Sequence, residues 1–178
     1  MKTFIALIFI GTLTYASAGI ENCKNETPMK DFSATSFFTG TWYVSHVQKE
    51  TSKTVCQTFN TRQEGTTLIV EYTFGSGGNQ KQVRCEAERE AGVQKLTFSC
   101  KVNGKPTFDA VFVIMGTDYN DYAVFYRCVT FTSNSQKNDN YLVLRRKPGQ
   151  DEIPAGAVSL TSNLGLKQCS ELTQTIVL

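Results

Sequence analysis

Gln82-Val83-Arg84-Cys85-Glu86-Ala87 and Leu96-Thr97-Phe98-Ser99-Cys100-Lys101-Val102 are two runs whose apolar and polar side chains alternate. A period of two is the spacing at which a strand turns one face to a core and the other to water. Between them lies Gly92-Val93, with glycine where a two-residue type II′ hairpin turn needs it. With that turn, Cys85 falls directly opposite Cys100. The same register puts Val83, Cys85 and Ala87 on one face with Leu96, Phe98, Cys100 and Val102. Pattern and pairing agree on an antiparallel hairpin carrying a Cys85–Cys100 disulfide. A bond closing so short a loop adds less stability than one joining distant segments.

Outward from this hairpin the chain continues in the same style. Short β-branched and aromatic runs punctuated by turn residues predict eight strands, over 40–48, 54–60, 66–74, 80–87, 94–102, 107–115, 122–131 and 141–146. No long 3.6-residue period interrupts them. Asn103-Gly104 is a type I′ hairpin signal, because both positions take positive φ. Eight sequential strands on tight turns predict an all-β, antiparallel up-and-down barrel with an interior able to hold a small ligand; a two-sheet sandwich is the alternative. Residues 31–38 offer cap residues followed by apolar ones, predicting a short helical turn over one barrel end. After Pro148-Gly149, residues 155–166 predict a short helix, with Cys169 tethering the tail. Nothing divides residues 19–178, so one domain is expected.

The start of the chain sets the compartment. Lys2, an apolar run over 4–13 and Ala16-Ser17-Ala18 have the form of a cleaved secretory signal over residues 1–18. The run is far shorter than the roughly 20 residues that cross a bilayer, so no membrane partner is expected. Of 178 residues, 18 are Lys or Arg and 16 Asp or Glu. A net charge of +2 leaves no electrostatic footprint for nucleic acid. Six cysteines without a Cys-x-x-Cys pair, and the single histidine His46, do not make a metal site. Secretion permits three disulfides, although six cysteines allow 15 pairings. With one histidine and no Gly-x-Ser-x-Gly elbow, no catalytic residues are assigned.

Three sets of residues carry a resemblance. Gly40-Thr41-Trp42-Tyr43 follows Phe37-Phe38, Thr117-Asp118-Tyr119 opens a turn, and Arg146 ends the last strand. In this order they resemble the three lipocalin motifs, in which the Trp packs inside the closed barrel end beneath the Arg. A guanidinium on an indole, with its donors on nearby carbonyls, is the physical reason. The N-terminal cysteine, Phe-Phe-x-Gly-Thr-Trp-Tyr, Val55-Cys56, the Tyr-Ala-Val stretch before Cys128 and Val129-Thr130-Phe131-Thr132-Ser133 are similar to triabin-like salivary lipocalins of blood-feeding triatomine bugs. That resemblance implies the pairs Cys23–Cys128 and Cys56–Cys169, leaving Cys85–Cys100. It also implies saliva as the setting.

The ligand reading follows from the same family. The related nitrophorins bind haem through a third-strand histidine, where this chain has Glu71; a carboxylate replaces imidazole poorly, so no haem or other cofactor is expected. Glu71 alternates with Ile69 and Thr73 and is read as an inward counter-charge for an amine, against the alternative of an exposed acid. Val44 and His46 share the parity of Trp42, which puts them on the barrel interior, His46 as a hydrogen-bonded interior residue or a ligand contact. Asn25-Glu26-Thr27 is a glycosylation sequon. The expected function is a monomer that sequesters a small host mediator of haemostasis or inflammation: a biogenic amine, an adenine nucleotide or an eicosanoid. The alternative is inhibition of a host coagulation protease or the contact system through the outer surface.

Overall fold

The computed structural model describes residues 19–52, 55–75, 77–90 and 95–174. The expected leader, residues 1–18, lies outside them, as do Gly92 and Val93 of the central hairpin turn.

Eight strands run in order: β1 Gly40–Val47, β2 Thr58–Glu64, β3 Thr67–Phe74, β4 Lys81–Glu88, β5 Lys95–Val102, β6 Lys105–Thr117, β7 Tyr122–Phe131 and β8 Lys137–Arg145. Each pairs antiparallel with the next, and β1 pairs with both β8 and β2, which closes the barrel. Closure removes the free edges that an open sandwich would have to protect. The register between β4 and β5 places Cys85 on Cys100 and Val83 on Val102. Asn103 (φ 47°) and Gly104 (φ 80°) make the turn into β6. A short helix α1, Ala34–Phe37, starts at Ser33, whose Oγ accepts the Ser36 amide. The C-terminal segment holds α2, Val158–Thr161, a two-residue strand β9, Lys167–Gln168, on β1, and α3, Cys169–Gln174.

The largest departures from the expected strand boundaries are at β2 and β8. β2 begins at Thr58, not 54, because Val55 turns into the core and Cys56 reaches back to Cys169 before pairing with β1 starts at Tyr43–Thr58. β8 begins at Lys137, not 141, through Lys-Asn-Asp-Asn, residues that strands rarely use. The extension holds because Asn140 Oδ1 accepts from the Gln48 and Lys49 amides while its Nδ2 donates to the Lys49 carbonyl.

Core sits on both sides of one half of the wall. Inside, one buried cluster runs from Trp42 through Leu68, Phe98 and Phe112 to Leu144. Outside, Val113, Tyr126, Cys128 and Tyr141 pack under Ile20 and Cys23, and Val124 and Val143 pack under Ala157 and Leu160. The N-terminal arm and the C-terminal segment thus strap the same face. Gly116 makes room there for Leu160, whose Cδ1 would have to move from a Cβ 2.5 Å away. The straps are welded by Cys23–Cys128 and Cys56–Cys169, with Cys85–Cys100 across the hairpin.

Candidate functional site

The barrel has one sealed end. Trp42 is fully buried, its Nε1 donates to the Phe37 carbonyl at 3.0 Å, and the Arg146 guanidinium lies 3.5 Å over its ring. Arg146 also donates to the carbonyls of Tyr119, Thr39, Thr41 and Phe37. Thr117 Oγ1 bridges the Tyr119 amide and the Tyr122 carbonyl, and Asp118 Oδ1 accepts three amides of its own turn. Gly40 (φ 74°) lets the chain enter β1 beneath Arg146. The structure therefore brings Gly40, Trp42, Thr117, Asp118, Tyr119 and Arg146 together as a structural cap.

Above the cap the barrel is filled. Rings follow one another in contact: Trp42, Phe37, Phe38, Phe98, Phe112, Phe125, Phe59 and Tyr72, with centroids 4.7 to 6.3 Å apart. The void left among them is about 10 Å³. A single water needs about that much space, so nothing larger enters. Val44, opposite Leu144, is buried in this core and lines no interior ligand space.

Among the described residues, the barrel interior opens at the other end. A pocket of about 210 Å³ at the mouth is bounded by Tyr72, Phe74, Phe108, Val129 and Phe131, by Thr51, Ser52 and Gln57 of the β1–β2 loop, and by Arg127 and residues 138–140. Along β7, Ala123, Phe125, Val129 and Phe131 belong to the inner core, so Arg127 points inward with them. Its register partners are Phe112, a ring of the filling, and Asn140. The guanidinium thus lies directly above the rings, at the floor of the pocket. Nη1 reaches Gln57 Oε1 at 3.5 Å, and the group also bonds the Tyr72 hydroxyl. Burial raises the Tyr72 pKa, an effect Arg127 opposes. Among the described residues no carboxylate pairs with Arg127: Asp139, on the outer face opposite Cys128, is held by Lys49 Nζ and by Tyr126, whose hydroxyl donates at 3.1 Å. Burial pushes the Tyr126 hydroxyl up to about 12, which keeps it a donor.

Two expected ligand contacts lie elsewhere. Glu71 faces outward, because the inner face of β3 is Leu68, Val70 and Tyr72. It sits between Arg62 (2.5 Å) and Arg84 (2.8 Å) in an ion-pair lattice with Glu64 and Glu86. The Arg62 hydrogen bond, foremost, holds its pKa below the ordinary carboxylate value. Ile69, paired with Arg62 and Glu86, is fully buried under their stems and so mimics an inward residue in the sequence. His46 is displaced by a bulge between Val44 and His46, which aligns it with outward-facing Val143. Its ring meets Ser45 Oγ at 3.0 Å and the Asp151 backbone, beneath the C-terminal segment. Asn25 is exposed on the N-terminal arm beside Lys95.

Arg127 is the residue that motif reading passes over. Its signal is a charge set in the inward series Ala123, Phe125, Arg127, Val129, Phe131.

Known proteins share this architecture. A leukotriene C4 complex of LTBP1 superposes with a TM-score of 0.64 at 26% identity, covering 79% of this chain and 88% of that one. The tryptamine complex of the amine-binding protein of Rhodnius prolixus gives 0.62 at 16% identity, over 87% and 94%, a likeness of fold alone. By sequence, procalin of Hospesneotomae protracta is 35% identical over 171 residues, 95% of this chain and 99% of the relative. Triabin of Meccus pallidipennis is 38% identical over 149 residues, 82% and 92% of the two chains. The family model described as triabin matches residues 17–160. Agreement that runs through the whole barrel, from residue 17 to residue 160, leaves one assignment: the chain belongs to the triabin family.

Proposed function

We propose that the protein is a secreted salivary lipocalin that removes a small host mediator of haemostasis or inflammation by holding it in the mouth of the barrel, one molecule at a time and without chemical turnover. The observation that carries this reading is the mouth pocket. It is concave, walled by Phe74, Phe108, Val129 and Phe131, and carries a few polar groups at its floor and rim, the make-up of a small-molecule site. At about 210 Å³ it is smaller than the roughly 300 Å³ at which drug-sized sites begin. It suits a compact molecule, or one end of a longer one. The neighbouring fold of the leukotriene C4 complex supports binding of such mediators by barrels of this kind. Three disulfides suit an oxidising compartment outside the cell.

A second reading rests on the filled interior. A barrel solid below its mouth is a rigid scaffold, and its loops and outer face suit a protein partner such as a coagulation protease. Native mass spectrometry with a panel of amines, adenine nucleotides and eicosanoids, run beside clotting assays, separates the two. The expected result is a 1:1 small-molecule adduct that disappears in Val129→Trp, which fills the mouth, with clotting times unchanged. Prolonged clotting that Val129→Trp leaves intact, with no adduct, would replace the first reading by the second.

A further inference from the structure

We infer that the mouth pocket is built for an amphipathic monocarboxylate that enters head first, its acid group on Arg127 and its apolar body against the Phe74, Phe108, Val129 and Phe131 collar. This deepens the proposed mediator-binding role and rests on it.

The argument is one of order along the barrel axis. The cation lies at the floor, above Phe112, and the apolar side chains lie between it and solvent. A guanidinium placed so is partly desolvated, and its partners are a neutral amide oxygen at 3.5 Å and a phenol, neither of which returns the electrostatic energy of lost water. A carboxylate does, through charge-assisted and often bidentate hydrogen bonds. Asn138, Asp139 and Asn140 border the same pocket, but Asp139 is neutralised by Lys49 Nζ and held by the Tyr126 hydroxyl, and Asn140 is occupied by the β1 backbone, so Arg127 sets the charge of the floor.

Charge and size choose among ligand classes. An amine would bring a second positive charge into a floor that already holds one, and neither nearby acid is free to compensate it: Glu71 is outside the barrel between two arginines, and Asp139, at the pocket border, is held by Lys49 and Tyr126. A nucleotide di- or triphosphate would bring several negative charges to a single cation. One carboxylate matches one guanidinium. The collar then takes an aromatic or alkyl body, and any tail longer than the pocket extends through the open mouth.

Three probes of nearly equal size test this: indole-3-acetate, indole-3-acetamide and tryptamine, which carry a negative, a neutral and a positive end on one ring system. Titration calorimetry of the disulfide-bonded protein is expected to rank them acetate, acetamide, tryptamine, with acetate about tenfold or more above acetamide. Arg127→Met is expected to abolish the preference while leaving acetamide affinity within about twofold, and Arg127→Lys to keep part of it. Unchanged thermal unfolding of both variants excludes a folding artefact. Equal affinities in the wild type, tryptamine binding tightest, or a preference that survives Arg127→Met would overturn the inference while leaving the mouth site standing. Binding of none of the three, by wild type or variants, would remove the mouth site itself and the inference with it.

Discussion

At the scale of single residues, position relative to the barrel wall decides what each ionisable group does. His46 lies outside the barrel wall, buried beneath the C-terminal segment, and burial lowers its pKa, with the Asp151 backbone and Glu171 opposing and Arg145 reinforcing. Protonation therefore favours the unfolded chain, whose histidine titrates near about 6.5. The stability this group contributes is complete above that value and is lost as pH falls toward the lower folded pKa. Melting temperatures measured from pH 7.5 to 5.5 are expected to fall less steeply in His46→Asn than in the wild type; equal slopes would remove His46 from the account. Alternation placed Glu71 with Ile69 and Thr73 correctly, but which face of β3 points inward depends on Arg62 and Arg84 in the neighbouring strands. For His46 the obstacle was the bulge, which alternation alone does not reveal. Arg127 was legible by the same parity rule.

Among the elements, those with strict alternation were readable and those held by side-chain hydrogen bonds were not. The β4–β5 hairpin follows from its two cysteines and its alternating faces, and the closed end from Trp42 and Arg146. The first turn of β8 depends on Asn140 standing in for a strand partner, a role that composition conceals. At the closed end, Arg146 joins four elements at once: α1, β1, the β6–β7 turn and β8. Arg146→Met removes the stacked cation and leaves the Thr39, Thr41 and Tyr119 carbonyls without its donors, while Phe37 keeps Trp42 Nε1, an expected loss of about 2–4 kcal/mol. Lysine should recover little of it, because one ammonium lacks the planar fork that spans those acceptors. Urea unfolding midpoints measure both, and a loss under about 1 kcal/mol in Arg146→Met would mean that the ring filling alone seals the base.

For the whole molecule, stability is expected to depend more on the two straps than on the hairpin bond. Cys23–Cys128 and Cys56–Cys169 join residues 105 and 113 apart, whereas Cys85–Cys100 joins residues 15 apart. The chain-entropy relation gives about 4.7 kcal/mol for loops near a hundred residues and about 3 for the short one. Double alanine variants of each pair, compared by thermal unfolding, are expected to lose most at Cys56/Cys169 and least at Cys85/Cys100; the reverse order would show that strain or unfolded-state structure overrides loop length. The overall barrel was legible because eight alternating runs leave few topologies, while the fate of its hollow was not, since ring packing depends on how the strands tilt together. That continuous stack of aromatic groups splits the labour by height: side chains that fix the melting point sit below Arg127, and those that would greet a captive sit at its level or higher. Substitutions around the lip can then retarget the molecule at little thermodynamic expense, so such a vessel can change its quarry without its base ever needing to be redesigned.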